Sequence, residues 1–228
     1  MKLSARLQVC ADMVRRGSVA VDVGTDHGRL PIYLLKNGIC PQAIAADLRE
    51  KPLNSARQNA ANYGIGDALS FYLSDGLQAI PRGAFRTVIC AGMGGETICS
   101  ILEAARDIWT PEYQFILQPQ SAPYELRSYL SQNGFSIRRE VLARDGKFVY
   151  TVMEVYWGED MPLRLGEIYR PQGQVCRQGE LYRDYMDRVL DSLSMTVAGL
   201  QNAKDGNEEK LRQFEGALRE LRNLEEAQ

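Results

Sequence analysis

Apolar residues along this chain follow two rhythms. Short runs, rich in Val, Ile and Ala, fall at 19–23, 42–46, 68–73, 85–91 and 113–117. Each is too short for a buried helix and predicts a strand. Their ends are polar or glycine-rich: a Gly-Thr-Asp-His-Gly loop, Asp47, Ser74-Asp75-Gly76, Gly92-Met93-Gly94-Gly95 and Gln118-Pro119-Gln120. Between them the apolar positions take helical spacing. Ser4 is placed to cap a helix through Leu7, Ala11, Met13 and Val14 that stops near Gly17. Further helices are predicted over 30–35, closing at Asn37-Gly38, over 52–63 with Pro52 in the first turn, over about 96–105, and over 123–132.

Strand and helix therefore alternate five times, the pattern of a parallel sheet covered on both faces. After Gly134 the rhythm changes. Residues 135–143 and 147–156 alternate around Asp145-Gly146 and predict a β-hairpin. Five parallel units closed by an antiparallel hairpin match the α/β plan of the class I methyltransferases that use S-adenosyl-L-methionine (SAM), a Rossmann-like sheet. From Gly158 the composition shifts again. Residues 161–173 carry the breakers Pro162, Pro171 and Gly173. A long helix over 178–201 has Leu181, Tyr185, Val189, Leu193, Val197 and Leu200 along one side. A turn at Lys204-Asp205-Gly206-Asn207 leads to a helix over 208–226 with Leu211, Phe214, Leu218, Leu221 and Leu224 on a stripe. Two such helices form an antiparallel, coiled-coil-like hairpin. The expected division is a Rossmann-like domain at 1–158 and an α-helical hairpin domain at 159–228.

Charge adds a bound. Lys and Arg number 27 against 29 Asp and Glu, a formal net charge of -2, so any nucleic-acid contact must rest on local cations. No apolar run approaches a membrane span of roughly 18 residues, and the amino terminus has no signal-peptide core. Five cysteines without a C-x-x-C pair and a single histidine speak against a metal site. The cysteines read as reduced packing residues of a cytoplasmic protein.

The chemistry concentrates at the strand ends. The first loop is not G-x-G-x-x-G, because Asp26 stands where a pyrophosphate needs bare backbone. Asp22 and Asp26 suit a ligand carrying an ammonium and a sulfonium, which describes SAM. Gly24 and Gly28 bracket Thr25, Asp26 and His27 at the chain reversal, where a missing side chain admits a ligand to the backbone. Asp47 is placed to accept from ribose hydroxyls; its plain alternative is a helix-capping aspartate. Asp75, beside Gly76, is placed to accept from an adenine amino group, or is a turn aspartate. His27 is better suited to shaping the loop than to moving a proton. Ala91-Gly92-Met93 and the glycines after it form either a tight helix start or a bare floor over which a flat base slides.

The segments Leu3-Ser4-Ala5-Arg6-Leu7, Val21 to Gly28, Ala91 to Gly95 and Gln118-Pro119-Gln120 together resemble the TrmK family. Its members are bacterial tRNA methyltransferases acting on N1 of the adenine at position 22. The resemblance extends over the whole chain and implies a SAM-binding domain, a tRNA substrate and a helical domain that helps hold it. Adenine N1 offers its lone pair at neutral pH, so direct in-line transfer is expected to depend on alignment rather than on a strong base. Asp26 and His27 are the candidates for polar assistance, and base flipping is expected. Arg6, Arg29, Arg138 and Arg139 are candidate phosphate contacts near the site. Two other readings stay open. One is a SAM enzyme acting on a small molecule or protein, with the helical hairpin used for dimerisation. The other is a non-catalytic nucleoside- or RNA-binding module. Oligomeric state is open, with a monomer favoured.

Overall fold

A computed structural model describes residues 1–158, 162–203 and 208–226. The expected turn at 204–207 and Met161 in the connecting segment lie outside the described residues. In chain order the elements are α1 (Ala5–Met13), β1 (Ala20–Val23), α2 (Arg29–Lys36), β2 (Ala43–Asp47), α3 (Glu50–Asn62), β3 (Leu69–Leu73), β4 (Thr87–Gly94), α4 (Gly95–Glu103), β5 (Gln114–Ser121), α5 (Pro123–Gln132), β6 (Phe135–Asp145), β7 (Phe148–Trp157), α6 (Leu165–Tyr169), α7 (Glu180–Asn202) and α8 (Glu208–Glu226). One seven-stranded sheet runs β3-β2-β1-β4-β5-β7-β6. Five strands are parallel, and β7 inserts antiparallel between β5 and β6. Strand order reverses between β1 and β4, the place where an open α/β sheet leaves a crevice at its carboxyl edge.

Both faces of the central strands are covered, which explains their unbroken apolar runs. In β4, Val88 and Cys90 join the core beneath α4 and α5, whereas Ile89 between them joins the core of α1 and α2. The same alternation places Phe115 and Leu117 on the first face and Ile116 on the second.

Several local expectations are corrected. Ser4 sits at the N-cap of α1, but its hydroxyl is buried without a hydrogen-bond partner. Strand β4 extends through the glycines to Gly94, with its pairing to β5 broken on both sides of Met93. Asp145 pairs with Phe148, so the hairpin loop is Gly146-Lys147 rather than Asp145-Gly146. The connecting segment contains α6, and Gln174 bridges to Arg139 on the sheet edge. Cys176 is exposed, so it is not a packing residue; the other cysteines are buried or half-buried, and all five are free.

Close backbone approach explains one glycine sharply. A Cβ on Gly95, the first residue of α4, would stand 2.2 Å from the Ala122 carbonyl oxygen. Ala122 is itself held at φ 54 at the start of α5. Neither backbone can retreat cheaply, so Gly95→Ala is expected to cost about 2–3 kcal/mol, read as a lower urea midpoint.

The apolar stripes of α7 and α8 face inward. Tyr185, Val189, Leu193 and Val197 of α7 pack with Leu218 and Leu221 of α8, and with Val149 and Leu142 of the β6–β7 hairpin. Tyr182 and Met186 are buried there too, while Leu181 and Leu200 are only half-buried. A fully buried ion pair anchors this unit to the sheet. Arg127 of α5 donates to Glu140 of β6 through Nε (3.3 Å) and Nη2, to Tyr185 of α7 (2.8 Å) and to the Ile168 carbonyl of α6 (3.1 Å). Glu140 also accepts from Thr151 of β7 and from the Gln172 backbone (2.7 Å). Every charged oxygen and nitrogen so engaged avoids the heavy cost of an unpaired buried charge.

Candidate functional site

The crevice at the carboxyl edge consists of two adjoining spaces. The larger, about 510 Å³, lies between β1, β2, β3 and β4. Among its lining residues are Gly24, Asp26, Asp47, Leu48, Asp75, Gly76, Gly92, Met93, Thr97 and Ile101. The smaller, about 300 Å³, is bordered by Arg6, Leu7, Asp22, Gly24, Asp26, His27, Arg29, Leu30 and Ala91. Gly24 and Asp26 border both.

The parallel register brings Asp22, Asp47 and the end of β4 to one edge. Asp47 ends β2 and is buried; its Oδ1 accepts the Arg49 backbone N–H at 2.9 Å. It thus caps the turn into α3 and still borders the large cleft. Asp75 and Gly76 follow β3 on the same wall. Gly24 is the throat between the spaces. It holds φ +72, and a Cβ there would lie 2.2 Å from the Met93 Cε. Gly92, at φ +84, leaves room for Arg6, whose Nη1 would be 3.1 Å from an added Cβ. Gly28, by contrast, lines neither space; a Cβ on it would stand 2.9 Å from the Ala56 Cβ, so its bareness serves the packing of α2 on α3. Thr25 also lines neither. It is buried beneath the loop, its backbone N–H donating to the Ala46 carbonyl at 2.9 Å.

His27 adopts φ 57, an unusual conformation for a non-glycine residue and one that concentrates at functional turns. Its Nε2 lies 3.2 Å from Asp26 Oδ1, and both side chains are largely exposed. Its carbonyl accepts from the Asn59 side chain at 2.9 Å. Burial pushes the Asp22 carboxyl up from 3.8 to about 7. The buried Thr25 hydroxyl, which makes no hydrogen bond of good geometry, lies close enough to oppose that rise, while Asp47 and Asp26 add to it.

Folding holds the proton on Asp22 more tightly than the unfolded chain does. Stability of the unliganded protein is therefore expected to fall as pH rises from about 4 to about 7, and Asp22→Asn to remove that slope. A cation bound beside Asp22 favours the ionised form. Cofactor affinity is then expected to rise with pH up to about 7, with proton release below it, and calorimetry in buffers of different ionisation enthalpy reads both.

Arg6 is not a free surface cation. Its Nε donates to Asp145 at 3.1 Å and its Nη1 to the buried Gln118 at 2.8 Å, which fixes the guanidinium at the floor of the smaller space. Arg29 borders the same space and is exposed. The expectation that Arg138 and Arg139 lie near the site is corrected. They stand toward the opposite end of β6 from Asp145, roughly 20 Å away at about 3.3 Å per residue. There Arg138 lies over the Tyr156 ring and Arg139 pairs with Glu154 at 3.3 Å.

Sequence reasoning missed the walls. Leu48 is 67% exposed although apolar, and it lines the large cleft together with Thr97 and Ile101 of α4. An apolar residue set between an acid and a polar helix start was the available signal. Nothing local announced the joining of Arg6, Gln118 and Asp145.

The donor set fits SAM. A bare throat, one buried carboxylate with no ion-pair partner among the described residues, a fixed guanidinium nearby and two acids on the adjoining wall present the charges that an amino-acid end and a nucleoside end require. Among the described residues no three His, Cys, Asp or Glu side chains converge as a metal site would demand. No helix there is long and apolar enough to cross a membrane.

Comparison with known proteins agrees with this geometry. A family model described as a methyltransferase domain matches residues 3–153. The tRNA (adenine(22)-N(1))-methyltransferase of Bacillus subtilis is 33% identical over 159 residues, 70% of this chain and 67% of that one. The crystal structure of the B. subtilis m1A22 tRNA methyltransferase TrmK superposes with a TM-score of 0.83 at 26% identity, covering 96% of this chain and 98% of that one. A Streptococcus pneumoniae protein, assigned as a tRNA (m1A22) methyltransferase and crystallised with SAM, gives 0.77 at 27% identity, covering 96% and 99%. The chain belongs to the methyltransferase-domain family and, within it, to the tRNA (adenine(22)-N(1))-methyltransferases.

Proposed function

We propose that the protein transfers a methyl group from SAM to N1 of the adenine at position 22 of tRNA. The observation that carries the reading is the placement of Asp47 and Asp75 at adjacent strand ends around a cleft whose throat is a glycine at φ +72. Asp47 is assigned to the ribose hydroxyls and Asp75 to the adenine amino group, with Leu48 and Ile101 as apolar walls for the ring. Asp22 is assigned to the ammonium and Arg6 to the carboxylate of the amino-acid end, in place of the phosphate contact expected for Arg6. Gly24, Gly76, Ala91 and Gly92 supply bare or small borders, and Thr25 and Gly28 shape the loop.

Bound SAM supplies an electrophilic methyl carbon on a sulfonium. The chain has no need to remove a proton first, because adenine N1 presents its own lone pair. Its work is alignment. Met93 and Gly94, where the register of β4 against β5 shifts, form the floor beneath the flat acceptor base. Asp26, exposed at the mouth of both spaces, faces the base as positive charge develops and steadies it electrostatically. His27 holds the loop in its left-handed turn rather than acting as a base. Residues 1–158 carry this chemistry, and the helical hairpin at 159–228, together with Arg29, contributes to holding tRNA.

The rival reading uses the helical hairpin to dimerise. Its apolar stripes are already spent on each other and on the β6–β7 hairpin, which favours a monomer, and a cytoplasmic one given its substrate. Transfer assays with and without unmodified tRNA separate the readings. Transfer that requires RNA and weakens steeply with salt is expected; equal transfer to a small molecule or protein without RNA contradicts the proposal.

A further inference from the structure

The tip of the β6–β7 hairpin carries an aromatic side chain that no core uses. Phe148 is 47% exposed, whereas its neighbour Val149 turns into the α7–α8 core. Lys147 Nζ lies 5.3 Å and Arg188 Cζ 5.5 Å from the Phe148 ring centroid. Arg188, from α7, also donates to the Lys147 carbonyl at 2.5 Å, which ties helix and hairpin tip together. Arg144 on the same tip is spoken for, paired with Asp184 at 2.5 Å and Glu180 at 3.6 Å. Among the described residues Lys147 and Arg188 form no ion pair with a carboxylate, and their charges lean over the ring instead.

A half-exposed aromatic ring, with cations beside it that pair with no carboxylate among the described residues, matches what a splayed nucleotide requires: a stacking surface for the base and positive charge for its phosphates. Position strengthens the match. Asp145, across the same turn, accepts the Arg6 Nε bond that fixes the floor of the smaller space of the site. The platform is thus joined to the reaction site through one ion pair. Extracting an adenine from a folded tRNA robs its neighbours of a stacking partner, and a protein aromatic close to the site replaces what they lose.

We propose that Phe148 is a stacking platform for an unpaired nucleotide of the tRNA near the methylated adenine, with Lys147 and Arg188 holding the adjoining phosphates. The proposal rests on the reading of this protein as a tRNA methyltransferase. Phe148→Ala is expected to raise KM for tRNA about tenfold while cofactor Kd, measured by calorimetry, stays at the wild-type value. Phe148→Trp is expected to keep a near-wild-type KM and to add fluorescence that tRNA quenches. The double variant Lys147→Ala/Arg188→Ala is expected to flatten the slope of log affinity against log salt by about 1.4. If wild-type protein methylates tRNA but Phe148→Ala leaves KM unchanged and the new tryptophan ignores tRNA, this inference is overturned and the function stands. If wild-type protein transfers nothing to tRNA, both are overturned.

Discussion

Replacing Arg127 by Leu is expected to destabilise the protein by about 3–5 kcal/mol, because Glu140 is left charged, buried and without its cation. For a chain of this size that corresponds to a melting temperature lower by roughly 6–20 °C. The pair is fully buried, and its hydrogen bonds reach α5, β6, β7, α6, α7 and the Gln172 backbone. Its loss therefore loosens the seat of the helical hairpin on the sheet rather than one local contact. Thermal unfolding followed by circular dichroism reads the effect. The double variant Arg127→Met/Glu140→Leu is expected to recover most of it, since removing both charges avoids the unpaired one. A single variant as stable as wild type would mean that the pair contributes no net anchoring.

The second large effect concerns cofactor binding. Asp47→Ala is expected to weaken SAM binding by about 10- to 100-fold, the loss of charge-assisted hydrogen bonds to two hydroxyls. Asp47 also accepts the Arg49 N–H at 2.9 Å, so the variant is expected to lose about 1 kcal/mol of stability as a lost cap. Asp47→Asn separates the two effects. Its amide oxygen keeps the cap but lacks the charge, so it is expected to restore stability and only part of the affinity. Calorimetric Kd beside urea midpoints for both variants checks this; unchanged Kd in Asp47→Ala removes Asp47 from the cofactor site.

Much of this architecture was legible from the chain alone, for physical reasons. Strands buried on both faces leave continuous apolar runs, which mark β1, β2, β4 and β5 to within a few residues, whereas the partly exposed edge strand β3 is marked by its Leu, Phe and Tyr residues. Helix α5 was bounded correctly by Pro123 at its first turn and by the glycine after it. Strand ends carry the ligand chemistry in this kind of sheet, so Gly24, Asp47, Asp75 and Gly92 could be singled out before their convergence was known. What escaped notice depended on tertiary contact. Helix α6 has five residues, too few to show a period. The burial of Tyr182 and Met186 follows from α7 packing against both α8 and the β6–β7 hairpin, which widens its apolar face beyond a single stripe. Arg127 and Glu140 look like surface residues of a helix and a strand, because charged residues are almost never buried unless paired. Arg6 reads as a surface cation in the sequence because its partners, Gln118 and Asp145, lie far along the chain. The left-handed His27 and Ala122 follow from closure of their turns, which no residue type at those positions announces.

The central claim is that this site methylates one nitrogen of one base. The most direct measurement supplies labelled SAM and unmodified tRNA transcripts to the purified protein, then separates the nucleosides of the digested RNA. The account predicts label in 1-methyladenosine, abolished when the adenine at position 22 is replaced and lowered by about 10- to 100-fold when Asp47 is Ala at limiting cofactor. Label in another nucleoside, or label that survives replacement of that adenine, would contradict it.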